Sequence, residues 1–190
     1  KRFFYPYDTH NFSSESIVPL PDSRLDEYQA QAIMGMLSDG FWTRETWLNV
    51  IAYRIWQDQS QATEDLLQLL VSQNPDDADL YFYLGEMYYR QGDWEKAEAA
   101  YRRVLETDSE YALAYLRLGM VDEARFKNGD GQIWLAKARS WYLHYHRLTD
   151  DDPLSLKKLS DWCELSQCAK NIWLPQLKDY LAHRDPEFIV

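Results

Sequence analysis

A chain of 190 residues with 46% hydrophobic side chains is long enough to bury a proper core as one domain. Its 20 basic against 31 acidic residues give a net charge of -11, which argues against nucleic acid and against an anionic membrane surface, because phosphate binding needs clustered Lys and Arg. If charge selects a partner, it selects a basic one.

In chain order, residues 1–22 differ from the rest. Phe3, Phe4, Tyr5 and Tyr7 surround Pro6, and Pro19 and Pro21 close a stretch that favours extended chain. This aromatic arm is expected to dock on the folded part or on a partner. Asp22 or Ser23 caps a helix carrying Leu25, Tyr28, Ile33 and Met36 that ends near Gly40. Helices near 43 to 57 and 60 to 73 make a first pair, with Pro75 in the turn. Asp76 and Asp77 offer caps for a helix near 78 to 91, and Gly92-Asp93 turns the chain into another near 94 to 107. A third pair occupies 111 to 126 and 132 to 148. Asp152 followed by Pro153 starts a terminal capping pair, near 153 to 166 and 168 to 183, with a kink expected at Pro175. No apolar run approaches the roughly 20 residues that cross a bilayer. The chain begins at Lys1 rather than Met, so a preceding signal peptide, lipid anchor or transmembrane helix is an open expectation.

The helices repeat. Tyr81, Leu84 and Gly85 return as Tyr115, Leu118 and Gly119, a shift of 34 each. Tyr81-x-x-Leu84-Gly85-x-x-Tyr88 followed by Ala97-x-x-x-Tyr101 resembles the tetratricopeptide (TPR) family, whose unit is a helix pair of that length. Upstream the same frame places Trp47, Leu67 and Pro75, with Val50 and Ile51 where Leu-Gly is expected. Downstream Asp122 stands in place of an aromatic. Lys96-Ala97 through Tyr101 reappears as Lys137-Ala138 through Tyr142, a shift of 41, as if seven residues were inserted around the turn Lys127 to Gly131. The resemblance covers about residues 44 to 153. It implies an all-α TPR-like α-solenoid, a right-handed superhelix of antiparallel pairs. The repeat-like units are 44–77, 78–111 and 112–153, followed by capping helices to 183, within one domain from 23 to 190.

The search for chemistry is mostly negative. Asn128-x-Asp130-Gly131 has part of a calcium loop, but Phe126 and Lys137 occupy positions that need carboxylates. His144-x-His146 places two imidazoles about 200° apart on a helix, the wrong spacing for a shared zinc. Cys163 and Cys168, five apart on a helix, are set for neither a disulfide nor a CxxC site and read as core. They fix no compartment, and both the cytoplasm and the extracytoplasmic face of a membrane stay open. There is no glycine-rich phosphate loop, GxSxG or HExxH. We therefore expect no catalytic residue, metal or cofactor, and a non-catalytic scaffold or adaptor.

The resemblance implies that the first helix of each pair lines a concave groove. Mapped onto this chain, the groove residues are Trp56, Asp79, Phe82, Glu86, Tyr89, Arg90, Leu116 and Met120. This is an apolar and aromatic surface with an acidic fringe, without the Lys and Asn with which TPR domains hold chaperone carboxylates. Two readings compete. The groove binds a protein or peptide through an apolar or basic segment, or it is filled by the chain's own arm or a neighbouring helix. A second function, by family analogy, is a soluble accessory domain or subunit of a membrane-embedded enzyme or multisubunit membrane complex, such as an envelope glycopolymer ligase or an assembly factor.

Overall fold

Aspartate caps set where three of the helices start. The computed structural model describes residues 44–57, 61–149 and 152–166, together with 31, 32 and 35. Apart from those last three, the arm of residues 1–22, the helix expected up to Gly40 and the helix expected from 168 to 183 lie outside the described residues.

Seven α-helices and no strand are found among the described residues: α1 Arg44–Gln57, α2 Gln61–Gln73, α3 Ala78–Gln91, α4 Trp94–Thr107, α5 Ala112–Lys127, α6 Gln132–Leu148 and α7 Pro153–Ser166. Asp77 caps α3, its carboxylate accepting from the backbone N–H of Asp79 at 3.1 Å and of Leu80 at 3.4 Å. Asp93 caps α4 through the N–H of Lys96 at 3.1 Å, and Asp152 caps α7 through that of Leu154 at 3.0 Å. Gly92, at φ 76°, ends α3 in the left-handed conformation that glycine takes without steric cost.

The chain divides into two compact units, one ending at Ser109 and the other beginning at Glu110. In the first unit the α3–α4 pair is built on one contact. The ring of Tyr101, fully buried, lies on Gly85, where a β-carbon would come within 2.5 Å of Tyr101 Cε1. Its hydroxyl reaches past the glycine and donates to Glu86 Oε1 at 2.7 Å. Van der Waals contact holds the ring, while the bond to a charged acceptor satisfies both buried polar groups. Across to the preceding pair, the Tyr88 hydroxyl donates to Glu64 Oε1 at 2.9 Å. Burial, with the neighbouring Glu64 carboxylate, holds that phenol above its usual range.

The second unit repeats the device. Tyr142 lies on Gly119, where a β-carbon would come within 2.4 Å of its ring, and its hydroxyl donates to Glu123 Oε2 at 2.6 Å. Around it Leu135, Ala138, Tyr145, Leu159 and Trp162 form the buried cluster. The Trp162 indole N–H donates to the carbonyl of Leu135 at 2.5 Å, joining α7 to α6.

The first pair lacks the glycine. Ile51 and Leu67 occupy the positions of Gly85 and Tyr101, one repeat earlier, and both are fully buried. Two side chains of middling size thus replace the smallest and one of the largest, and α1 and α2 come less close than α3 and α4.

The seven-residue insertion is not confined to the turn. Six residues follow Gly85 in α3, against eight after Gly119 in α5. The turn between helices has two residues in the first case and four in the second. Tyr101 is the eighth residue of α4, and Tyr142 the eleventh of α6. Both helices grow toward the turn, which keeps each tyrosine opposite its glycine. Asp122 is likewise resolved: it is buried and accepts from the Trp141 indole N–H at 3.0 Å. The repeat-equivalent pair Tyr88 and Ala100 has become Asp122 and Trp141, so the large aromatic has changed helix.

Gly85→Leu forces a branched side chain into space the Tyr101 ring fills. We expect it to lower stability by at least the about 1–3 kcal/mol typical of overpacking, read as a lower urea midpoint. A midpoint equal to wild type would disprove the contact's role.

Candidate functional site

The first helices α1 and α3 are joined at both ends by side chains about one repeat apart. Arg44, the first residue of α1, forms a forked pair with Asp77, Nε to Oδ2 at 2.9 Å and Nη2 to Oδ1 at 2.6 Å, and donates to Asp79 Oδ2 at 2.7 Å. Asp77 thus caps α3 and holds α1. Its hydrogen bond, followed by that of Asp79, outweighs partial burial and raises the Arg44 guanidinium above its usual value. At the other end Arg90 Nη2 donates to the carbonyl of Trp56 at 3.2 Å, 34 residues away. The Arg44 side chain is 58% exposed, so its pairs contribute modestly, about 0.2–1 kcal/mol each. Their larger effect is on register.

Between these ties lie the expected groove residues of the first unit, and they separate into two groups. Trp56 is 51% exposed at the end of α1, Arg90 is exposed beside it, Asp79 is tied to Arg44, and Tyr89 is half-buried with its ring edge-on to Trp94 at 5.3 Å. Phe82 and Glu86 face the other way. Phe82 is buried with its ring 5.7 Å from that of Tyr101, and Glu86, 6% exposed, accepts the Tyr101 hydroxyl. The reason is helical geometry. Residue 82 precedes Gly85 by three and residue 86 follows residue 82 by four, so 82 and 86 lie on one side of the helix, where Tyr101 meets both.

In the second unit Leu116, three before Gly119, is buried in the α5–α6–α7 cluster for the same reason. Met120 is half-buried with its sulfur 3.2 Å from Arg117 Nη1. Glu123, 8% exposed, is the most elaborate buried charge. It accepts from Tyr142, pairs with Lys127 Nζ at 2.5 Å, and has Lys158 Nζ of α7 at 3.8 Å. Burial alone would raise its carboxyl; the bonds from Lys127 and Tyr142 and the charge of Lys158 overcome that and hold it below the usual carboxylate range.

The two histidines diverge. His144 is exposed, stacked on Tyr115 with ring centroids 5.3 Å apart, whereas His146 is buried with Nδ1 2.9 Å from Ser155 Oγ. Ser155 donates its own proton to the Asp152 carbonyl, so His146 is the donor between them. Cys163 is buried in the same cluster. Among the described residues no group of three His, Cys, Asp or Glu could hold a metal ion, and no helix is long and apolar enough to cross a membrane.

Stacked antiparallel pairs, a tyrosine inserted over a glycine in successive pairs, and arginine ties about one repeat apart define an all-α helical-repeat protein. The repeat in the middle of the chain is similar to the tetratricopeptide one: residues 58–112 match the tetratricopeptide repeat family model. In fold, 32 chains of known structure match. One is a crystal structure of MamA protein, with a TM-score of 0.61 at 16% identity over 85% of this chain and 85% of that chain. At that identity the likeness speaks for the fold alone. No curated protein sequence matches. Family and fold support a protein-interaction scaffold.

Two outcomes follow. Phe82→Ala removes a buried ring and is expected to cost about 3–5 kcal/mol, whereas Tyr89→Ala costs far less; thermal melts of both variants compare them. Glu123, with its folded-state pKa depressed, contributes stability that is fully present above the unfolded carboxylate value and lost as pH falls through the folded one. The difference in urea midpoint between wild type and Glu123→Gln should therefore be large at neutral pH and shrink in acid. A difference independent of pH would show that the charge is not what matters.

Proposed function

We propose that this chain is a non-catalytic interaction scaffold whose recognition surface is the first-helix face of the first unit, carried by Trp56, Asp79, Tyr89 and Arg90. The observation behind this reading is the exposed Trp56 indole on a backbone that Arg90 ties to the next repeat. A large aromatic on a rigid support loses little ordering entropy when a ligand covers it, which is what an anchor requires. Asp79, paired with Arg44, adds a carboxylate at the opposite end of α1 from the ring. The ligand is an apolar or basic protein segment. The arm carrying Phe3, Phe4, Tyr5 and Tyr7, with Lys1 and Arg2 ahead of it, has that chemistry in its sequence.

The test is site-directed photo-crosslinking in the source cell, with p-benzoylphenylalanine at position 56 and, as control, at position 95 on the charged outer side of α4. A discrete adduct from position 56, reduced several-fold by Tyr89→Ala and absent from position 95, is the expected result. An intramolecular adduct to residues 1–22 would assign the face to the arm. Adducts from position 95 alone would end the proposal.

A further inference from the structure

One helix departs from the electrostatics of the rest. Among the seven described helices, α6 alone has no Asp or Glu, yet it carries Lys137, Arg139 and Arg147 in a chain of net charge -11. On α4 and α5, by contrast, Lys96 pairs with Asp93 at 3.1 Å, Arg102 with Glu98 at 2.6 Å and Lys127 with Glu123 at 2.5 Å. Arg139 turns inward, half-buried over the ring of Trp162. Lys137 and Arg147 are exposed and form no ion pair with any described residue. Lys137 lies over the ring of Trp134 at 4.2 Å.

These two cations share one face. At 100° per residue, Ile133, Lys137, His144, Arg147 and Leu148 fall within about 100°, the breadth of a single helix face. Ile133 is 64% exposed and Leu148 40%, and they stand at the two ends of the strip, about 22 Å apart along the helix axis. Lys137 and Arg147 lie between them, about 15 Å apart along the same axis. The exposed Ala136 and Ser140 keep the first half of the strip low, and the exposed His144 ring offers a further polar contact near Arg147. The order along the face is therefore apolar, cationic, small, imidazole, cationic, apolar. It lies on the second helix of a pair, in the second unit, and does not depend on the surface assigned above.

We propose that the outward face of α6 docks an acidic helical segment of a protein partner, about four turns long, with apolar residues near both ends. Charge complementarity selects carboxylates, and the two apolar ends fix length and register. A helix suits the spacing: two carboxylates eleven residues apart lie on one helix face about 16 Å apart, close to the separation of the cations. A polyanion fits poorly, because two cations in a chain of net charge -11 release few counterions.

The probe is a fluorescein-labelled 18-residue helical peptide of Ala and Glu with Leu near each end, titrated by anisotropy against the full chain in 50 mM and 300 mM salt. Saturable binding is expected that weakens about tenfold or more in Lys137→Glu/Arg147→Glu, weakens with salt, and is unchanged in Trp56→Ala. Ile133→Ser/Leu148→Ser should weaken it without removing its salt dependence. A neutralised variant, Lys137→Gln/Arg147→Gln, serves if charge reversal lowers the melting temperature. Peptide binding indifferent to these changes, or no binding at all, overturns the proposal. So does tighter binding of a 20-base-pair DNA duplex or of phosphatidylserine vesicles, which would make the strip a polyanion site. Concentration-dependent dimerisation in sedimentation that the charge reversal abolishes would equally overturn it, by making a second copy the occupant.

Discussion

The structure depends on a tyrosine ring resting on a glycine. Packing two helices closely requires removing a side chain from one of them, and the gap has to be filled from the other. Tyr101 on Gly85 and Tyr142 on Gly119 do this twice, with the same chemistry. A phenol brought so deep carries a hydroxyl that needs an acceptor, and burying an unsatisfied polar group costs about 1–3 kcal/mol. Glu86 and Glu123 supply the acceptor, so a packing solution draws a charge into the core. In the second unit that charge then recruits Lys127 and Lys158, and through Lys158 reaches α7.

Much of this was legible in the sequence. Caps at Asp77, Asp93 and Asp152 and the glycine at 92 mark helix ends that the structure places within a residue of expectation. The glycines return after 34 residues and the tyrosines after 41, the added seven lying between them, because the contact they make is repeated. The acceptors do not: Glu86 follows its glycine by one residue and Glu123 by four. A tyrosine hydroxyl at a helix interface can be met from either turn of the facing helix, so only its need for a partner recurs, not the partner's position.

The groove was less legible, for a definite reason. Family positions assign a face by number, whereas Phe82 and Leu116 are assigned by their distance from a glycine. A residue three before a glycine that admits a ring shares its face, a signal the sequence carries beside the family positions. The ties Arg44 to Asp77 and Arg90 to Trp56 were also recoverable, since residues about one period apart on adjacent first helices are neighbours. The outward face of α6 was hidden by the average: a net charge of -11 says nothing about which helix lacks its share of carboxylates.

The lengthened α5–α6 hairpin has a consequence for how such a chain can change. Two residues were added on one side of the turn, three on the other and two within it, and the ring still meets its glycine, because all the growth lies beyond that contact. The tip at 128–131 is thus mechanically decoupled from the interior. It is where this protein could accept a graft, a loop or a whole inserted module while leaving the packing beneath undisturbed.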